Sequence, residues 1–164
     1  MPADGNALQS QLLTFEMGGE EYGVDLLQVT EIIEYGTLTQ VPTMPAVVRG
    51  VVNLRGHVLP VVDLAARFGI PASPVTRRSC VVVVVADVGG ERTQVGLVAD
   101  AVHEVVGVDE GDLLPPPAFG SAVGASFLTG MVQKREKFVM VLDLPRVLAL
   151  EALQEEILEV AGAA

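Results

Sequence analysis

Apolar and polar residues alternate along this chain in short bursts, and each burst ends at Gly, Pro, Asp or a cluster of charges. That rhythm predicts strands rather than helices. "LLTFEM" and "EEYGVDL" form a predicted hairpin around Gly18-Gly19, whose glycines supply positive φ at the turn. In "VTEIIEY", Val29, Glu31, Ile33 and Tyr35 fall on one face and Thr30, Ile32 and Glu34 on the other. "TMPAVVR" places Pro45 where a first helical turn tolerates it, which predicts a short helix. "GVVNLRGHVLPVVDL", from Gly50 to Leu64, is a second hairpin with Gly56 at its tip.

"RFGIPASPVTRR" (Arg67–Arg78) is the best internal boundary, with prolines and small residues between apolar runs. After it, "SCVVVVVADV" is a β-branched run of the kind buried on both faces. Gly89-Gly90 turns it into "TQVGLVADAV", and "HEVVGV" makes a third strand. "DEGDLLPPPAFG" reads as a loop that proline keeps out of a sheet. "SFLTGMV" and "KFVMVLDL" form a last hairpin around "QKRE". Each half thus holds about five short strands, the number expected of a small barrel. The expected division is a first barrel over about 12–68 and a second over about 79–144, with strand exchange between them allowed. Residues 1–11 are expected to be flexible. Residues 145–164 are expected to form a helix and tail, with Leu150, Leu153, Ile157 and Val160 on one apolar face. No repeat of solenoid length is seen.

Composition sharpens this picture. Half the residues are hydrophobic but only 4% are aromatic, so the core must be built from Val, Leu, Ile and Ala. A net charge of −11 sets the chain against nucleic acid and anionic membrane surfaces. The longest aliphatic run, near Cys80–Ala86, is far short of the ~20 residues of a membrane span. "MPADGNALQS" has neither the basic nor the apolar region of a signal peptide. The lone Cys80 excludes an internal disulfide and suits a reducing compartment, so a cytoplasmic protein is expected. A mean hydropathy of +0.48 implies apolar surface that a partner covers.

Catalytic apparatus is hard to assemble from these residues. Cys80 heads a buried strand and reads as core filler. His57 sits at a hairpin tip and His103 at a strand start, in different halves, and both read as surface residues. Two histidines and one cysteine match no zinc spacing, and "DEGD" (Asp109–Asp112) lacks the rest of a calcium loop. No metal or cofactor is expected. The chain reads as a binding module, with a small-molecule-binding β-barrel as the alternative. Asn53 and Arg55, set among Val, Leu, Pro and Gly, mark a contact surface or a paired strut.

Tyr22-Gly23, Val29, Glu31-Ile32, Pro42, Pro45, Gly50, Asn53, Arg55-Gly56, Pro60 and Asp63-Leu64 together resemble the CheW-type coupling proteins of bacterial chemotaxis. "GLVADAVHEVV", "LLPPPAF", "FLTGMV" and "VLDLPRVL" agree more loosely, so the resemblance spans about Leu12 to Leu150. Thr43-Met44 departs from it, since an Asn is common there. The resemblance implies two SH3-like five-stranded β-barrels packed around a shared apolar core, with a C-terminal helix and no enzymatic activity. It implies a stand-alone adaptor that bridges methyl-accepting chemoreceptors to a CheA-type histidine kinase, whose regulatory domain is itself CheW-like. Such a protein is expected to be a monomer alone, and with its partners to join higher-order arrays at the inner membrane. Val29, Glu31, Asn53 and Arg55 are then expected at the groove where the receptor hairpin tip docks. The competing expectation is that Arg55 pairs with Glu31 and staples the barrel. Phe119, after Pro115-Pro116-Pro117, is expected to anchor a kinase or ring interface, unless it tucks into its own barrel.

Overall fold

A computed structural model describes residues 9–40, 42, 45–116 and 125–149. The expected terminal helix with its Leu150–Val160 stripe, and Phe119, lie outside the described residues. Among the described residues, eleven strands make two curled sheets. They are β1 (Gln9–Met17), β2 (Glu20–Asp25), β3 (Val29–Glu34), β4 (Val48–Leu54), β5 (His57–Val62), β6 (Cys80–Val88), β7 (Glu91–Ala99), β8 (Ala101–Asp109), β9 (Leu113–Leu114), β10 (Leu128–Lys134) and β11 (Lys137–Leu142). Two short helices follow β5 and β11: α1 (Leu64–Phe68) and α2 (Leu144–Val147). No described helix is long and apolar enough to cross a membrane.

The sheets do not divide at residues 67–78. One is ordered β3-β6-β7-β5-β4 and the other β8-β1-β2-β11-β10-β9. The first barrel therefore takes its β6–β7 hairpin from beyond the expected boundary, and the second takes β1–β2 from the chain's beginning. The reason is geometric. β7 pairs parallel with β5 at Val61–Gly96 and Val62–Leu97, and β2 pairs parallel with β11 over Glu21–Gly23. Parallel neighbours cannot be joined by a tight turn, so the partner must arrive from a distant part of the chain. The segment 67–78 thus links β5 to β6 within one sheet.

This exchange gives the molecule one main core. It gathers Phe15, Tyr22 and Val24 from one sheet, Val62, Val82, Val84 and Leu97 from the other, and Leu64, Phe68, Leu144 and Val147 from the helices. β6 serves two interiors at once. Val82, Val84, Ala86 and Val88 face the shared core, whereas Val81 and Val83 join Val52, Leu59 and Val61 inside the first barrel. That is why its valine run is unbroken. Leu12, Val108, Val132 and Val141 fill the second barrel. Phe15, Tyr22, Phe68 and Phe127 form a chain of ring contacts at 6.0, 5.9 and 5.3 Å across the shared core.

The barrels repeat one plan. Strands β4–β5 with α1 match β10–β11 with α2, including the same register irregularity between Val48 and Gly50 and between Leu128 and Gly130. Arg55 (φ 53°) and Arg135 (φ 59°) occupy the same turn position. Asp63 and Asp143 cap the two helices, accepting from the N–H groups of Ala66 (3.3 Å) and Arg146 (3.2 Å). Three local expectations change. Residues 45–47 form a turn leading into β4 rather than a helix, Leu113-Leu114 pairs with Val132 and Met131 before the prolines begin, and the first strand already starts at Gln9.

A Cβ added at Gly50 would overlap the carbonyl oxygen of Thr39, and one at Gly130 would stand 2.5 Å from that of Leu114. Each alanine substitution should cost about 1–3 kcal/mol, lowering Tm by several degrees at the usual ~2–4 °C per kcal/mol for this size. Gly107→Ala, whose Cβ would meet nothing within 4 Å, should leave Tm within about 2 °C by the same scaling. Thermal melts of the three variants check this.

Candidate protein-interaction site

β3 and β4 are the outer strands of the first sheet, and they are not hydrogen-bonded to each other. Across that seam the Arg55 guanidinium donates to both Glu31 oxygens, at 2.7 and 3.1 Å. Arg55 reaches it from the tip of the β4–β5 hairpin. The turn is closed by Asn53, whose Oδ1 accepts from the Gly56 N–H at 2.9 Å. Asn53 therefore shapes the turn that aims Arg55. Val29 pairs with Val84 and Glu31 with Val83 across a strand irregularity, so Val29 turns to the opposite face of β3 from Glu31; it is half-buried and packs against the shared core. The hydrogen bonds to Glu31 hold the Arg55 pKa above its ordinary value. The pair is no buried strut, because the Arg55 side chain is 73% exposed. A bidentate guanidinium in that setting stays open to a partner.

Two apolar side chains of the same segment are also exposed. Leu27, in the 3-10 turn Leu26–Gln28 that leads into β3, is 91% exposed, and Ile32 on the outer face of β3 is 45% exposed. Neither stands out in the sequence, where single apolar residues next to strands are ordinary. At the seam's far end, Arg49 of β4 donates to Asp63 Oδ2 through Nε (3.1 Å) and Nη2 (2.6 Å), and to the Tyr35 hydroxyl through Nη1 (2.6 Å). Burial opposes the Arg49 charge, but the hydrogen bonds and charge of Asp63, helped by Tyr35, outweigh it and raise the pKa. The signal for this network was a lone Arg in "AVVRGVV" and a lone Asp in "VVDL".

A second arginine ties the barrels together. Arg67 of α1 donates through Nε to the Val147 carbonyl of α2 at 2.6 Å and lies 4.4 Å from the Phe127 ring centroid. Burial lowers its pKa. The second barrel's seam carries a looser counterpart of the Arg55 pair, Arg135 and Glu104 at 3.6 Å. His103 stands 3.4 Å from Glu16 and 3.6 Å from Glu21, on the outer face. Burial pushes the Cys80 thiol pKa up, which suits filler rather than a nucleophile. Among the described residues no three His, Cys, Asp or Glu side chains are grouped to hold a metal.

The CheW-like domain model matches residues 11–152. The chain is similar to the chemotaxis protein CheW of Klebsiella aerogenes, at 32% identity over 91% of this chain and 87% of that one. It is similar also to CheW of Rhizobium meliloti, at 36% over 86% and 88%. Among solved structures it resembles the scaffolding protein TtCheW of Thermoanaerobacter tengcongensis, with a TM-score of 0.76, 30% identity, and coverage of 87% and 90%.

Removing one partner of a part-buried ion pair strands the other. Asp63→Ala strands Arg49 and also uncaps α1 (cap worth ~1 kcal/mol). It should cost about 2–4 kcal/mol, below the fully buried range because both side chains keep some solvent. Arg49→Met keeps the cap and should cost clearly less. Urea denaturation of both variants decides it, and equal costs would show that the cap contributes nothing.

Proposed function

The chain belongs to the CheW-like family of chemotaxis scaffold and coupling proteins, and from that premise we propose that it is a non-enzymatic adaptor between methyl-accepting chemoreceptors and a CheA-type histidine kinase. The observation that carries this reading is the exposed Arg55–Glu31 pair, in a segment that also exposes Leu27 and Ile32. A helical hairpin tip needs both features: apolar side chains for affinity and an aimed charge pair for orientation. In this reading Glu31 and Arg55 make the receptor contact, Asn53 fixes the turn, and Val29 anchors the strand that carries Glu31 to the shared core. An exposed pair of this kind contributes at most about 1 kcal/mol to folding, so its aim matters more than its strength.

Phe119 supplies the second contact, toward the kinase regulatory domain and the ring it joins. Pro115-Pro116-Pro117 precedes it in the sequence, and proline's fixed φ lowers the entropy a segment has left to lose on binding. The free protein is a monomer in the cytoplasm and is recruited to receptor arrays with its partners. Val52, Leu59, Val61, Val81 and Val83 fill one barrel, and Leu12, Val108, Val132 and Val141 the other. The first barrel's interior is thus packed with side chains, while the second barrel opens at a mouth lined partly by Leu12, Val108 and Val141.

Co-sedimentation with receptor signalling fragments and a CheA-type kinase tests the proposal. Arg55→Glu should weaken receptor association at least tenfold while Tm falls by no more than about 4 °C, the scale of one exposed pair. Pairing it with Glu31→Arg should restore the melting temperature but not the association. Phe119→Ser should leave the monomer stable and reduce array assembly. Receptor binding lost only in proportion to stability would reduce Arg55 to a staple.

A further inference from the structure

The two barrels share one plan, and at one point it is completed in the first barrel only. There Arg49 closes the mouth beside α1, bound to the helix cap Asp63 and to Tyr35. The second barrel matches this place residue by residue. Thr129 stands at the same strand irregularity as Arg49. The cap Asp143 donates its N–H to the Phe127 carbonyl at 2.9 Å, as Asp63 donates to Val47 at 2.8 Å. Glu110, the first residue of the 3-10 turn after β8 (Glu110–Asp112), stands at the position of Tyr35, the first residue of the 3-10 turn after β3 (Tyr35–Thr37). The second mouth thus lacks both the guanidinium and the phenol.

What remains is an open cavity of about 390 Å³. Leu12, Val108 and Val141 line its apolar part, and Asp25, Asp109 and Asp143 bring carboxylates to it. Oδ1 of Asp143 is used by the cap. Oδ2, the counterpart of the atom that binds Arg49, meets Arg146 Nε at 3.4 Å, from a side chain that is 62% exposed and lies outside on α2. All ten Lys and Arg residues lie in the described segments, and residues 1–8, 117–124 and 150–164 contain none. No cation outside the described segments is left in this chain to fill the mouth.

We propose that the mouth of the second barrel is a socket for an arginine side chain presented by a partner protein, which takes at Asp143 the place that Arg49 takes at Asp63. The fork of a guanidinium suits a carboxylate already fixed by a helix cap, and its alkyl stem suits the apolar lining. The chain's net charge of −11 steers such a group inward. The inference is independent of the Arg55 seam, which lies on the other barrel.

Two measurements on the full chain test it. Thr129→Arg supplies the guanidinium in cis and should melt several degrees above Thr129→Gln. Titration of Nα-benzoyl-L-arginine amide, followed by amide NMR, should give saturable shifts at Leu12, Asp109 and Asp143 in the unmodified protein. The citrulline analogue, equal in shape but neutral, should bind at least tenfold more weakly, and Thr129→Arg should abolish the arginine response. Equal responses to the two probes, or none, would overturn the socket even if the Thr129→Arg chain failed to fold. So would nuclear Overhauser contacts from the cavity to residues 117–124 or 150–164 in the free protein, which would make the chain its own occupant.

Discussion

Two parallel strand pairings govern the rest of this molecule: β7 on β5, and β2 on β11. Neither can be made by neighbouring segments, so each barrel must accept a hairpin from elsewhere in the chain. The hairpins are cheap to form locally, around Gly18-Gly19 and Gly89-Gly90, all at positive φ. Their exchange makes the barrels inseparable, because the inner faces of both hairpins meet in the shared core. Tyr22 shows the result: fully buried between Phe15 and Phe68, with its hydroxyl unpartnered among the described residues and its pKa pushed up chiefly by burial.

Magnitudes rank the interactions. A fully buried Val, Leu or Phe contributes about 1.5–3 kcal/mol, and the shared core holds many of them. The exposed Arg55–Glu31 and Arg135–Glu104 pairs contribute at most about 1 kcal/mol each. Burial therefore holds the fold, and the seam charges add little to it. Arg49 and Arg67 lie between these extremes. One locks a strand to a helix cap and the other locks α1 to α2.

Much of this was legible in the sequence, for identifiable reasons. Alternation in "VTEIIEY" gave the faces of β3 from Glu31 on, but not for Val29, which a strand irregularity turns to the other face; the unbroken valines announced a strand buried on both sides. Arg55 and Glu31 were expected either to touch or to face a partner; they touch. Exchange of strands between the barrels was allowed for, but which hairpins exchange was not legible, because turn residues at 67–78 mark a break in regular structure and not which sheet the next strand joins. α1 escaped notice because its signals, an Asp63 cap and Gly69 at φ 73°, bracket only five residues. The internal repeat escaped because its matched residues are few: a glycine, an Arg at a turn, and "DL" at a helix start. Only the strand registers reveal it.

If the exchanged hairpins fuse both barrels into one core, neither barrel can unfold alone. Native-state amide exchange measures this directly, by comparing the Val83 amide of β6 in the first barrel with the Val132 amide of β10 in the second. The two should report the same opening free energy and the same denaturant dependence, both equal to those of global unfolding. A lower opening free energy with a smaller denaturant slope for either amide would mean that its barrel opens by itself, contradicting the shared core.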